Sequence, residues 1–496
     1  MRLLASDIIT YFRPECGLKF FLQNQGIKPA EPSAYDRVLA SLGTRHEQNH
    51  AASLGPYADL NGFRDDQLVA ETKAAIQKQA QVIYQGGFQA DTTINGQKVT
   101  VFGRPDFLLL DGDAYVIRDA KLSRKIDDDN HIEIVRQVQL YGWLYEKTTE
   151  HAPKRLEVYN GKGEITVISY DKGKAALAVL AEIIRWKIIK KAPYEPVGWS
   201  KCGECGYGEC CLKKANAAKD VALLPEVDQS LARALHQRGI KTYRDLHAGF
   251  DVAQLSAFQR PWGTKAQKVG KRAEKILIYA EVMDTGKERV LSKPVIPDCP
   301  NYVMFDLEGL PPHQNDLEKI YLWGMQVYGK VPSNFMAPLA GFGENGDKEG
   351  WITFLTAAED VFKAYRDLPF VHWGSYEKTN LDRYIARYGD PNGTAARVKR
   401  NLLDLLPITK AAIALPIPSY SLKVIEQYVG FRRTQTEFGG DWSMATFIEA
   451  TETNDKKRRA ALMKNILKYN EEDLAATWAV LEWLRGKKEE IRAVHV

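Results

Sequence analysis

No apolar run in the 496 residues approaches the roughly 20 that a membrane-crossing helix needs, which excludes such a span. The opening text, MRLLASDIITYFRPEC, has a short apolar stretch interrupted by polar residues and little positive charge before it. It lacks a secretory leader pattern, so the expected location is cytoplasmic, with no membrane partner. Internal repeats and low-complexity tracts are absent. Net charge is only +5, too small to announce a polyanionic partner. Cysteine is scarce, six in all, and in a reducing compartment disulfides are rare.

What is present is an ordinary globular mix, 45% apolar and 26% charged, in a chain too long for one core. Two or three domains are expected. Charge is uneven: between Lys213 and Arg289 there are 15 Lys and Arg against 9 Asp and Glu, while the remainder is about neutral. A basic middle is a mild hint of phosphate contact, and equally compatible with a solvated helical linker.

Along the chain, residues 3–85 read as mostly helical, with Asp65–Gln85 one long segment. Thr92–Ile94, the Asn95-Gly96 turn and Lys98–Leu110 read as a strand hairpin; Asp111-Gly112-Asp113 turns into a strand over Ala114–Lys121. Helices are expected near 132–147 and 174–190, with a strand pair over 155–159 and 164–170. Residues 214–290 read as all-helical, and a break at Gly239-Ile240 loosely resembles a helix-hairpin-helix element. After the Pro294, Pro297 and Pro300 linker, strands and helices alternate to the end.

The first carboxylate group is Gly103-Arg104-Pro105-Asp106 followed by Arg118-Asp119-Ala120-Lys121. If the intervening hairpin has a two-residue turn, paired positions sum to an odd number. Asp106 then lies opposite Ile117 or Asp119. Because strand side chains alternate, Asp106, Asp119 and Lys121 converge on one face. A three-residue loop would break this. Two carboxylates about 4 Å apart repel by roughly 4 kcal/mol at an effective dielectric near 20. A divalent cation is the natural compensation, and oxygen ligands suit Mg²⁺ or Mn²⁺. Lys121 would orient water or stabilise developing charge. The plain alternative is a hairpin with surface charges. Upstream lies His46, in Gly43-Thr44-Arg45-His46-Glu47; downstream, Gln137 and Tyr141 share a helix face at i,i+4.

This order, a helical His, GxxD, DxK and QxxxY, resembles the RecB family of PD-(D/E)xK nucleases. The resemblance implies catalytic roles for Asp106, Asp119 and Lys121, a metal-ligand role for His46, and DNA positioning by Gln137 and Tyr141. Cys16 precedes this region, and Cys202-x2-Cys205-x5-Cys211 follows it. That spacing, with the text SDIITYFRPECGLKFFL, resembles the iron–sulfur members of the family and implies a [4Fe–4S] cluster on Cys16, Cys202, Cys205 and Cys211. Cys210 is an alternative last ligand, and a local zinc site on Cys202, Cys205, Cys210 and Cys211 is the competing reading.

A second carboxylate group begins in Val303-Met304-Phe305-Asp306-Leu307-Glu308-Gly309, where Asp306 and Glu308 share one strand face and Phe305 and Leu307 the other. Tyr469 and Asp473 lie at i,i+4 near the end, and Glu377 lies between. DxE, a central acid and YxxxD resemble the DnaQ-type RNase H-like 3′–5′ exonucleases. The resemblance implies that Asp306, Glu308, Glu377 and Asp473 hold metals and that Tyr469 orients water. Glu377 departs from that pattern, which has Asp; Asp404 is the fallback, and an inactive scaffold the plain alternative.

The expectation is thus an α/β multidomain protein. Residues 1–213 would form the RecB-type restriction-endonuclease-like domain, 214–292 a helix-hairpin-helix-like linker, and 293–496 an RNase H-like domain. Its function would be that of a metal-dependent DNA nuclease, an exonuclease on single-stranded ends with a second, DnaQ-like 3′–5′ exonuclease-type site, and its partner a helicase or a repair or defence protein. The alternatives are an iron–sulfur DNA-binding adaptor without turnover and an RNA exonuclease using the C-terminal site.

Overall fold

The computed structural model describes residues 1–494 apart from 199–201, 204, 312–317, 343, 344 and 436–438. Two compact units make up the chain: Met1–Pro32 with Asp36–Lys214, and Ser33–Tyr35 with Ala215–Val496.

In the first unit, strands β1 (Arg2–Leu4), β4 (Phe88–Ile94) and β5 (Gln97–Gly103) form one sheet in the order β1-β5-β4. The other sheet is mixed, in the order β2-β3-β6-β7-β8-β9, from β2 (Ala58–Asp59), β3 (Val82–Tyr84), β6 (Phe107–Asp111), β7 (Ala114–Ala120), β8 (Arg155–Tyr159) and β9 (Ile165–Ile168). The helix Ile132–Thr149 packs on strands of both sheets. It is accordingly apolar over most of its circumference, with Val138, Leu140, Trp143 and Leu144 buried. Strand β7 is central, and Tyr115, Val116 and Ile117 are all buried.

Two expectations fail here, each for a local reason. The strand expected over Lys98–Leu110 breaks at Arg104-Pro105-Asp106, and its halves join different sheets. Pro105 lacks the N–H that a continuous ladder would need. The helix expected over Asp65–Gln85 stops at Gln77; Gln79 takes a positive φ of 53° and Val82-Ile83-Tyr84 pairs with β6. Those three side chains are β-branched or aromatic, and burial in a sheet overrides their periodicity.

The second unit begins with helices whose starts are capped by their own sequence. Asp228 accepts from Leu231 N–H, and Thr242 and Asp251 form capping boxes with Asp245 and Gln254. The segment is not all-helical as expected. Strands β10 (Gln259–Trp262) and β11 (Lys265–Lys268) form a hairpin around Gly263-Thr264, where Gly263 takes φ 58°. Lys265 and Lys268 thus lie on a hairpin, Lys271 and Arg272 on a 3₁₀ turn, and Lys275 on the helix Ala273–Thr285. The short strands β12 (Arg289–Val290) and β17 (Ile413–Ala414) pair antiparallel.

The main sheet runs β14-β13-β15-β16, from β13 (Asn301–Leu310), β14 (Lys319–Gly329), β15 (Phe370–His372) and β16 (Leu402–Asp404). β13 pairs antiparallel with β14 and parallel with β15, and β15 parallel with β16. Bridges from Met336 and Leu339 extend it beyond β14. Alternation along β13 sends Phe305 and Leu307 into a core with Trp323, Trp351 and Phe354. Asp306 and Glu308 take the opposite face, toward the long C-terminal helix Lys456–Val494.

Candidate functional site

In the N-terminal unit the β6–β7 hairpin turns on two residues, Gly112 and Asp113, and its pairs run Phe107↔Arg118 to Asp111↔Ala114. The odd-sum register thus extends to Asp106 opposite Asp119. Asp106 has left the strand but stays tied to it: Ala120 N–H donates to its Oδ2 at 2.7 Å and Gln85 Nε2 to its Oδ1 at 2.9 Å. Lys121 forms an ion pair with Asp119. Both acids are buried. Burial, then the adjacent Asp119 charge, pushes the Asp106 carboxyl well above its usual range. Burial alone would lower Lys121, but Asp119, Asp106 and Glu47 outweigh it and hold the ammonium above its usual value.

The acid that sequence reading missed is Glu47, which accepts from the same Gln85 amide as Asp106. Its signal lay beside His46 in the quoted motif, but spacing alone does not say which of two adjacent helical residues turns inward. His46 stacks on Tyr159, with ring centroids 4.8 Å apart. Its Nε2 lies 3.5 Å from the Tyr159 carbonyl oxygen that also accepts from Lys121 N–H. Tyr141 is buried, and burial together with the Asp119, Asp106 and Glu47 charges raises its phenol well above the ordinary range. Gln137 is also buried and donates to the Ala5 carbonyl at 3.5 Å.

At the ends of this unit's chain, Cys16, Cys202, Cys205 and Cys211 line one cavity, together with Pro14, Lys19 and Glu195. Gly198 N–H points at Cys202 Sγ, 3.5 Å away. Burial, then the nearby Cys16, Cys210, Cys202 and Cys205, pushes the Cys211 thiol up to about 11.

In the C-terminal unit, one carboxylate oxygen each from Asp306, Glu308 and Asp473 lies within 4.8 Å of the others. Among the described residues no other group of three or more His, Cys, Asp or Glu brings its ligand atoms so close. Asp306 is partly exposed; Glu308 and Asp473 are buried. Burial first, then Asp473, pushes Glu308 up to about 8, although Ser443, Lys423 and Asn470 pull it back. For Asp306, burial and then the charges of Asp473, Glu308 and Glu377 act in the same direction. Such a triad is costly without a cation and suits a hard divalent one.

The surrounding contacts were not expected. Asn470 Nδ2 donates to Asp306 Oδ2 at 2.7 Å. Asn470 and Asp473 are three apart and so share a helix face, a signal the sequence did contain. Arg433 ion-pairs with Asp473 and donates twice to Glu426, each at 2.7 Å. No local motif marks Arg433. Tyr321 donates to Glu308 at 3.4 Å, and its hydroxyl lies 2.7 Å from Ser443 Oγ. Tyr469 is buried beside the triad; burial, then Asp473, Glu308 and Asp306, raises its phenol well above the ordinary range. Glu377 lies outside the tight group. It is buried at the start of the helix Tyr376–Tyr388, 3.1 Å from His372 Nδ1. The fallback acid, Asp404, is engaged as a helix cap, accepting from Leu406 and Gly374 N–H.

A family model described as the RNase_H superfamily matches residues 303–485, which reach from within the strand bearing Asp306 to within the helix bearing Asp473. The C-terminal region is therefore an RNase H-like domain, and a nuclease-type activity with divalent metal goes with that superfamily. A solved structure titled "Crystal structure of SSO0001" is 17% identical, over 42% of this chain and 97% of that one, with a TM-score of 0.21. A likeness at that score says nothing of the fold. No curated protein matches. No described helix is long and apolar enough to cross a membrane.

Proposed function

We propose that the protein is a metal-dependent nuclease acting on DNA, with the RNase H-like domain working as a 3′–5′ exonuclease on single-stranded ends. The observation that carries this reading is the convergence of Asp306, Glu308 and Asp473 within an RNase H-like domain. Those three would hold Mg²⁺ or Mn²⁺, which supplies Lewis acidity toward a phosphodiester. Asn470 would orient Asp306 through its hydrogen bond, and Tyr469 would hold a water by its hydroxyl. Glu377 would adjoin the site as a fourth acid through its charge on Asp306.

The N-terminal unit would be a second, RecB-like PD-(D/E)xK site, supported by the Asp106, Asp119 and Lys121 contacts and by Glu47. His46 would be a further ligand there, with Gln137 and Tyr141 positioning the strand. The cavity lined by four cysteines supports a [4Fe–4S] cluster as the staple of this unit; a zinc site is the alternative.

The test is degradation of 5′-labelled single-stranded DNA and RNA by full-length protein with Mg²⁺ or Mn²⁺. Wild type should give a ladder of 3′-shortened DNA products. Asp306→Asn should remove the ladder, and Asp119→Asn any internal cuts. RNA degraded in preference to DNA, and lost with Asp306→Asn, would establish the RNA exonuclease instead. Binding without cleavage of either would leave the adaptor reading.

A further inference from the structure

The most exposed aromatic side chain among the described residues lies on none of the elements that carry the carboxylate groups. Trp262, 58% exposed, closes strand β10 at the tip of the β10–β11 hairpin. Single exposed apolar residues are common and need no explanation. This one is built. One side of the indole is covered by the Arg260 guanidinium, whose carbon lies 4.4 Å from the ring centroid. Arg260 is buried and fixed from beneath: Nη1 donates to Asp228 Oδ1 at 3.0 Å and to Ser230 Oγ at 2.7 Å, and Nη2 to Gln267 Oε1 at 2.9 Å. Asp228 is in turn the cap of the helix Gln229–Gln237. A buried cation thus props a tryptophan whose remaining surface meets solvent.

The charge on the hairpin itself has one sign. The hairpin, QRPWGTKAQK, carries no acid. Lys265 pairs directly with Trp262 across the ladder and so shares its face. Lys265, Lys268 and Lys271 are exposed, and no ion pair engages them among the described residues. An open indole with Lys265 on its face, Lys268 on the other face of the same hairpin and Lys271 just after it, matches what unstacked bases on a phosphate backbone offer: π-faces to stack and anions to neutralise.

We propose that this hairpin is a contact for single-stranded nucleic acid, in which Trp262 stacks on a base and Lys265, Lys268 and Lys271 take backbone phosphates. The inference rests on the reading of the protein as a nucleic-acid enzyme and names a further place where that strand is gripped.

Anisotropy of labelled homothymidine and homouridine strands of about 16 nucleotides, and of a matching duplex, measures it. The full-length protein is used in EDTA, so that cleavage does not intervene. Trp262→Ala should weaken binding of single strands roughly tenfold, and Trp262→Phe should keep most of the affinity. Joint Lys265→Gln and Lys268→Gln should flatten the plot of log K against log salt by about 1.4, two phosphate contacts at 0.7 each. Melting temperatures should match wild type, because these side chains are exposed. Wild-type affinity and salt slope in both variants, in a protein that binds and cleaves, would overturn the hairpin contact and leave the nuclease reading standing. Preference for duplex, insensitive to Trp262→Ala, would also overturn it. A wild type that neither binds nor cleaves any strand would remove both readings.

Discussion

The buried cation Arg433 shows how individual side chains set the character of the RNase H-like site. It is shared between Glu426 and Asp473, and all three are buried. Removing one partner of such a network leaves buried charge uncompensated, at a cost of about 3–5 kcal/mol. Arg433→Met should therefore lower the unfolding free energy of this domain by that order, seen as a lower denaturation midpoint, and adding Glu426→Gln should recover part of it. A midpoint unchanged in Arg433→Met would mean that the site exchanges its partners freely with water. The same accounting governs metal binding. A cation bound only by the folded triad stabilises by about 2.7 kcal/mol at one hundred times its dissociation constant. Mn²⁺ should raise the melting temperature of the RNase H-like domain in wild type but not in Asp306→Asn. His50 carries a pH effect of known sign in the other unit. It stacks on Tyr159, and burial, then Arg118 and His46, depresses it to about 4. The unfolded chain takes up this proton first, so the stability it confers is complete above its ordinary pKa near 6.5 and is lost as pH falls toward 4. Melts of wild type and His50→Asn should show wild type losing more stability between neutral pH and mildly acid pH.

Secondary-structure elements deliver these side chains by register. Along β13 the period of two separates acids from aromatics. On β14 the residue opposite Asp306 is Gly324. A Cβ there would come within 1.7 Å of Asn470 Oδ1, so glycine makes the room in which Asn470 reaches Asp306. Gly324→Ala should cost about 1–3 kcal/mol by overpacking and weaken Mn²⁺ binding. Gly324→Ala with Asn470→Ala should regain stability without regaining the metal affinity, which separates steric from positioning effects. In the N-terminal unit the two-residue turn at Gly112-Asp113 does the equivalent task, setting Asp106 against Asp119. The break at Pro105 is what allows Asp106 to bend out of β6 and still receive Ala120 N–H.

For the molecule as a whole, each compact unit has its own apolar core and its own acidic group. Under the iron–sulfur reading, Cys16 and the cysteines from Cys202 onward tie the ends of the first unit together. Closing a loop of about 190 residues contributes roughly 5 kcal/mol in loop-entropy models. Anaerobically purified protein should then absorb visible light and hold about four iron atoms per chain. Cys16→Ala should lose the colour and destabilise the N-terminal unit. Stoichiometric zinc, with Cys16→Ala behaving as wild type, would instead establish the local zinc site.

What the sequence by itself determined is whatever depends on short-range periodicity. The alternation of Asp306 and Glu308 against Phe305 and Leu307, the i,i+4 placement of Tyr469 and Asp473, and the odd-sum register of the Asp106 hairpin all follow from fixed strand and helix geometry. So do the β strands flanking Asn95-Gly96 and the helix carrying Gln137 and Tyr141. Tertiary structure decided what periodicity cannot carry. Val82-Ile83-Tyr84 became a strand because β2 and β6 were there to pair with it on either side, and Gln259–Lys268 became a hairpin inside a segment that reads as helical. Arg433 reached Asp473 across 40 positions, Glu47 rather than His46 shared the Gln85 amide with Asp106, and Glu377 stayed outside the tight triad. Those choices rest on long-range packing and on the need to compensate buried charge, and neither is encoded in the spacing of neighbouring residues.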